Sequence, residues 1–305
     1  MHRDLTRYAA AFLLVIVSVN RLPGQDSRAD GPILGARAAS PTVSLKCWNP
    51  TGTIRFVGWD KDSVVVRGAL GHDMKFEMAG NGDGIKTGAT RPTSMKLGVA
   101  GHWTDPDASP SNFVVYLPRH GTVAIKTVSA DITAEGVSGW FYTVSGNIRM
   151  SGEATSVEAE TMNGSLDLNV STPWIKARAG NGNLLLRGQP QDVDASTVGG
   201  TLSIATSTVL RGQFSSVTGD VHFVGDPPAR AILEFSSHSG AVDLLMPQSA
   251  SALLALSSIA GPIQNGFARV RPTSLTPQSM RISLGRGDAQ MTVRTFKGPI
   301  RLRAQ

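Results

Sequence analysis

The stretch Val144-Ser145-Gly146-Asn147-Ile148-Arg149-Met150 carries a pattern of apolar, small polar, Gly, any, apolar, any, apolar that returns six times downstream. Aligned on the glycine, the recurrences are centred on Gly164, Gly182, Gly200, Gly219, Gly240 and Gly261, at spacings of 18, 18, 18, 19, 21 and 21 residues. A near-fixed period of this length marks a stacked repeat architecture rather than one globular core. Positions two and four after each glycine are apolar, Asn265 after Gly261 excepted, while those one and three after it are mostly polar, the period-2 signature of a strand with one buried face. A second short strand precedes each glycine, as in Val157-Glu158-Ala159, Val193-Asp194-Ala195 and Leu233-Glu234-Phe235. Two short strands and two bends cannot bury their own apolar face, so neighbouring repeats must supply the other half of the contacts. The expected fold is therefore all-β, a single-chain β-solenoid of stacked two-strand coils of about 18–21 residues. Glycine suits the corner, where the missing Cβ permits either a positive φ or a close approach between coils.

The composition is that of a folded chain: 305 residues, 41% hydrophobic and 17% charged. Only 6% is aromatic against 33 glycines, which favours thin β coils over a bulky core. Met1 to Gly24 reads as a secretory signal, with Arg3 and Arg7 as its basic region and Tyr8 to Val19 as its apolar region. That apolar run is short for a membrane span, which needs roughly 20 residues. Cleavage is expected between Arg21 and Ala29; with no clean Ala-x-Ala site, retention as an anchor is the alternative. The chain carries +6, of which the leader contributes +2 through Arg3, Arg7 and Arg21 against Asp4. No run of cations interleaved with aromatics follows, which argues against nucleic acid as a partner. The single cysteine, Cys47, excludes an internal disulfide framework and any Cys-x-x-Cys metal or redox site. Residues 25–41 read as a flexible spacer, 42–126 as an N-terminal β region continuous with or capping the repeats, and 127–305 as the repeats themselves. Within the N-terminal region, strands are expected over Thr53–Val57, Ser63–Arg67, Met74–Met78 and Asn112–Leu117, with a loop from Thr87 to Pro110 around a short strand Ser94–Val99.

Gly52-Thr-Ile-Arg-Phe-Val-Gly-Trp-Asp-Lys-Asp-Ser-Val-Val-Val-Arg-Gly68, Phe113-Val-Val-Tyr-Leu-Pro118 and the Ser/Asn-Gly-x-apolar repeats together resemble the bacterial β-strand-repeat family labelled "putative adhesin", also called toastrack-like β-solenoids. The resemblance covers Val43 to Gln305. It implies an exported or membrane-tethered envelope protein of the periplasm or cell exterior, with no catalytic residue set and no cofactor; some relatives are attached to envelope-stress sensing systems. This chain differs from those sensors in showing no second transmembrane or signalling segment.

In such a stack equal positions of successive coils lie side by side, about 4.8 Å apart. The outward column three after each glycine reads Arg149, Asp167, Leu185, Ser203, His222, Asp243 and Gln264. Ser203, His222 and Asp243 are consecutive there, yet a hydrolase also needs an oxyanion hole, and strand N–H groups are spent on the ladder. The column therefore reads as a binding surface or solvated ladder, with no catalytic residue. Trp140-Phe141-Tyr142 is the densest aromatic cluster and a second candidate surface, since exposed rings stack on sugars or partner side chains. Asn81-Gly-Asp-Gly84 lacks the spaced carboxylates of a calcium loop, His238 has no partner in register for a metal, and Arg286-Gly287-Asp288 continues the strand grammar. The leading function is an exported, non-catalytic, adhesin-like binding or scaffold module whose partner is an envelope glycan or protein, touching membrane only through an uncleaved leader. The alternatives are a polysaccharide-active β-helix enzyme, which needs carboxylates or cations gathered on one groove, and an ectodomain associated with envelope-stress sensing.

Overall fold

The computed structural model describes residues 31–91, 107–267, 270–276 and 278–305. The leader, the first part of the spacer and the expected strand Ser94–Val99 lie outside the described residues. Among the described residues there is no helix, and the strands form one large mixed sheet of 23 strands.

Two rows of strands run through this sheet, one before and one after each glycine corner. After the corner, Ile148, Leu166, Leu184, Leu202, Val221 and Val242 pair in parallel as direct neighbours, one per repeat. Before it, Ala159, Ala177, Ala195, Phe214 and Phe235 do the same. Long strands such as Leu166–Ala179 and Leu184–Thr197 bend through both rows. Pairing without any register slip keeps every apolar residue on one face, because a shift of one residue would turn the whole set to solvent.

The inward residues of the two rows form one continuous core, with Leu166, Leu184, Leu202 and Val221 all 1% exposed or less. Each such side chain stabilises the stack by about 2 kcal/mol of apolar transfer. Volume is balanced between neighbouring columns. Val157, Ile175 and Val193 sit beside Ala159, Ala177 and Ala195; where the small column widens to Phe214, its neighbour shrinks to Gly212, whose added Cβ would lie 2.5 Å from the Phe214 ring. The rings of Phe214 and Phe235 then stack at 5.0 Å across adjacent repeats.

The glycine corners resolve the choice left by the sequence between positive φ and close approach. None of Gly146, Gly164, Gly182, Gly200, Gly219, Gly240, Gly298 or Gly261 has a left-handed φ. Instead a Cβ on Gly164 would sit 1.8 Å from the Gly146 carbonyl oxygen, one on Gly182 1.9 Å from that of Gly164, and one on Gly200 2.0 Å from that of Gly182. A hydroxyl column three residues before the glycine caps the same corner: Thr143 and Thr161 Oγ1 each accept the N–H of the glycine at 3.0 Å, as Ser258 Oγ does at 2.9 Å. One residue after the glycine, Asn147 and Asn183 Oδ1 accept the N–H of Ser165 and Thr201 in the next repeat at 3.0 and 2.9 Å.

Four expectations need correction. The spacer drawn at 25–41 is strand from Ile33 onward, because Ile33–Ala38 pairs antiparallel with Ser63–Arg67. A boundary at 126/127 falls inside the strand Thr122–Thr127, whose residue Thr127 already begins the hydroxyl column, accepting the N–H of Ala130 at 3.2 Å. Gly240 and Gly261 are not neighbours: the C-terminal segment, with strands Ala289–Thr295 and Ile300–Ala304, lies between them, pairing with Ile232–Ser237 and Val242–Met246 on one side and with Ala252–Ser258 and Ile263–Asn265 on the other. In the N-terminal region, Lys75–Thr90 also forms one strand through the Gly80–Gly84 bend, so Thr87 begins no loop.

Cys47 is buried, and burial pushes its thiol up to about 12. Thiolate is the reactive form, so the folded chain should show no reaction with a disulfide reagent at pH 8 and one thiol per chain after denaturation. A second test addresses the corner. Gly182→Ala should cost roughly 1–3 kcal/mol by backbone overpacking, whereas Gly84→Ala, with nothing within 4 Å of its Cβ, should stay within about 0.5 kcal/mol; equal urea midpoints for the two would disprove the close-approach account.

Candidate functional site

The candidate residues fall on two opposite faces. Arg149, Asp167, Ser203, His222 and Asp243 share the outward column of the post-glycine row, with Leu185 between Asp167 and Ser203. Trp140 and Tyr142 lie on the outer face of the pre-glycine row, beside Glu158 and Glu160. Phe141 is corrected as a surface residue: it is 0% exposed and packs edge-on against Phe56 at 6.0 Å. Alternation along the strand Ser138–Thr143 turns Phe141 inward whenever its two neighbours face out.

The post-glycine column is more tightly paired than a solvated ladder. Asp167 takes Arg187 as a close ion pair and Arg149 at 3.7 Å. Asp243, 13% exposed in its side chain, receives His222 Nδ1 at 3.3 Å, Arg301 at 3.3 Å and Arg303 at 3.6 Å. Arg301, which belongs to the intercalated C-terminal segment, takes the column position next to Asp243 that the sequence assigns to Gln264. Ser203 Oγ makes no hydrogen bond to His222 among the described residues. The three residues thus share a column without the Ser–His contact that nucleophilic catalysis requires.

Near the N-terminal end of this face a cleft of about 440 Å³ opens. Its lining combines the column Arg55, Thr133, Arg149 and Asp167 with the column Asn112, Thr53, Asp131, Asn147 and Ser165. Thr53 Oγ1 donates to Asn112 Oδ1 at 2.8 Å, and Asn147 Nδ2 donates to Asp131 Oδ1 at 3.2 Å. Arg55 is held by a two-pronged contact to Glu135 at 3.0 and 3.1 Å, which fixes the plane of its guanidinium. Arg55, Thr53, Asn112, Asp131 and Asn147 were missed by a reading confined to the position three after each glycine. Their signal lay in the sequence as the Asp/Asn/Ser residue directly after each corner, at Asp131, Asn147 and Ser165.

On the other face the rings of Trp140 and Tyr142 stack at 5.8 Å and 22°, and Lys126 lies 5.1 Å over the Tyr142 ring. Beyond them Lys176 bridges Glu158 and Glu160, and Arg178 reaches Glu160 and Asp194 at 3.8 and 3.7 Å. His238 is exposed and stacks flat on Phe296 at 4.8 Å. Arg286 and Asp288 sit in a tight turn where Arg286 Nη2 contacts Asp288 Oδ2 at 3.3 Å, each charge offsetting the other. No group of three or more His, Cys, Asp or Glu able to hold a metal occurs among the described residues.

No protein-family model and no curated protein matches the chain. Among solved structures the chain is similar to one described as a "putative cell adhesion protein" from Clostridium sporogenes, with 8% identity, 89% of this chain and 98% of that chain covered, and a TM-score of 0.24.

Asp243→Ala leaves His222, Arg301 and Arg303 facing one another without their carboxylate and should cost about 1–3 kcal/mol. Arg149→Ala, at a side chain 71% exposed, should cost no more than about 0.5 kcal/mol. Chemical denaturation of both variants checks the ordering, and a silent Asp243→Ala would show that the cluster is not structural.

Proposed function

We propose that the chain is a β-solenoid, exported by the leader 1–24 to the bacterial cell envelope, and that it acts there as an adhesin-like binding module without chemistry of its own. The observation that carries this reading is the cleft bounded by Arg55, Arg149, Asp131 and Asp167. Its polar side chains are amides, hydroxyls, guanidiniums and carboxylates, with no His, Cys or Lys among them. Planar groups of this kind offer paired donors and acceptors at fixed angles, which suits the adjacent hydroxyls of a sugar chain. Opposite charges balance within the lining, favouring a neutral, hydroxyl-rich envelope glycan as the ligand. Repetition supports the same role, because each repeat adds equivalent outward positions to a rigid face, and such extended surfaces serve binding in stacked-repeat proteins.

The hydrolase reading finds less support in the same column. Asp243 is shared among His222, Arg301 and Arg303, and Ser203 makes no hydrogen bond to His222 among the described residues, so the line from acid through base to nucleophile is incomplete.

Glycan-array binding of the exported chain tests the proposal. Arg149→Ala and Asp167→Ala should each weaken binding to the retained neutral glycan by about tenfold, equal to about 1.4 kcal/mol, while thermal unfolding shows the fold retained. Equal binding by both variants would move the partner surface elsewhere. Turnover of an ester or glycan that disappears in Ser203→Ala and His222→Ala would replace the binding reading with an enzymatic one.

A further inference from the structure

The outer face of the pre-glycine row carries a second group of charged and aromatic side chains, separate from the cleft. At its N-terminal end Lys86 and Lys46 are direct neighbours on parallel strands, and on the same face Trp48, Lys126 and Tyr142 follow one another in the adjacent column, with Trp140 beside Tyr142. Parallel neighbours lie about 4.8 Å apart, so the two lysines place like charges side by side. Further along the same face three such cations meet an acid on the next repeat: Lys176 meets Glu158, Arg178 meets Asp194 and Arg211 meets Asp192. Lys46 and Lys86 have no ion pair among the described residues, and Asp83, in the bend at the edge of this region, pairs with neither. A cleft of about 420 Å³ opens between the two strands, lined by Lys46, Lys86, Ser44, Ile85 and the bend glycines Gly80 and Gly84.

A local rule of sheet design is broken here without a compensating contact, and such breaks mark places shaped by a ligand. We propose that this face binds an acidic polysaccharide. The carboxylates of its uronic-acid sugars sit on Lys46 and Lys86 in the cleft, and an adjoining sugar ring lies against Trp140. Trp48 packs against Gly88, where an added Cβ would come within 2.7 Å of the indole. Lys126 contributes positive field while seated on Tyr142. A nucleic acid is disfavoured because tight binding to a phosphate chain needs many phosphate contacts, and three lysines beside a Tyr142 ring already occupied by Trp140 and Lys126 supply few. The glycan instead needs one or two carboxylates per segment, which two adjacent lysines match.

Affinity electrophoresis of the full chain through gels holding polygalacturonate tests this, with carboxyl-reduced polygalacturonate and single-stranded DNA as parallel arms. Retardation is expected with polygalacturonate alone, and it should weaken by about tenfold between about 50 mM and 300 mM salt, as charge screening requires. Lys46→Ala/Lys86→Ala should abolish it, Lys46→Arg/Lys86→Arg should retain it, and Trp140→Ala should weaken it several-fold, all with unchanged thermal unfolding. Equal retardation in the carboxyl-reduced gel, stronger retardation by DNA, no retardation at all, or full binding by Lys46→Ala/Lys86→Ala would each overturn the assignment. Arg149→Ala, on the opposite face, should leave polygalacturonate retardation unchanged, so this site and the neutral-glycan cleft succeed or fail separately.

Discussion

The carbonyl oxygen of one corner glycine occupies the space where the next glycine would carry a Cβ, and the rest of the structure depends on that contact. From Gly146 to Gly240, and on through Gly298 to Gly261, the same oxygen fills the same vacancy at 1.8–2.1 Å from the ideal Cβ position. Any side chain there would push two repeats apart and break the hydrogen bonds on both sides of the corner. The constraint thus sets the spacing of the stack, and the neighbouring columns follow from it. A corner drawn in so tightly leaves the glycine N–H away from the ladder, and Thr143, Thr161 and Ser258 satisfy it with a hydroxyl that costs little volume. Buried N–H groups are paired almost without exception, and at these three corners the hydroxyl three residues before the glycine does it, whereas at Gly182 that place is taken by Ala179.

The same reasoning explains the residue after the glycine. Its N–H faces the side chain of the preceding repeat, and Asp131, Asn147, Ser165 and Asn183 each accept from the next one. Two repeats further on, Asp220 accepts the N–H of Ala241 in the same way at 2.8 Å. Alanine has no acceptor to offer in turn, and there the chain supplies Pro299 and then Pro262, residues with no N–H to satisfy. Donor supply and acceptor demand therefore end together.

Much of this was legible in the sequence and some of it was not, for identifiable reasons. Ile148, Leu166, Leu184 and Leu202 alternate with polar residues at a fixed distance from a glycine, so their burial and parallel pairing follow from the pattern alone. Placing Arg149, Asp167, Ser203, His222 and Asp243 in one column required only the period. Phe141 was misread because three adjacent aromatics look like a patch until strand alternation is applied to them. Thr295-Phe-Lys-Gly298-Pro-Ile-Arg-Leu302 obeys the repeat grammar in full, yet its level in the stack is invisible from chain order, since order along the chain and order in space differ only where a later segment enters between earlier ones. The cleft at Arg55 and Arg149 was hidden for a related reason: it joins residues some 94 positions apart in sequence, brought together through the intervening strand Asp131–Glu135.

That late entry also changes how the stack is held. In a simple repeat array each repeat contacts the ones before and after it in sequence, and folding can spread from any point. Here, among the described residues, the strand Ala252–Ser258 pairs only with Ala289–Thr295 and Ser279–Leu284, both later in the chain, and Val242–Met246 meets its forward neighbour in Ile300–Ala304. The level after Val242–Met246 therefore stays open until the C-terminus arrives. Contacts of such long sequence separation form late, because loop closure must precede the burial that offsets it. Arg301 and Arg303 reach Asp243 across this junction, so the charge cluster that the sequence pattern presents as a solvated ladder is the polar clasp joining the intercalated C-terminal segment to the strand Val242–Met246.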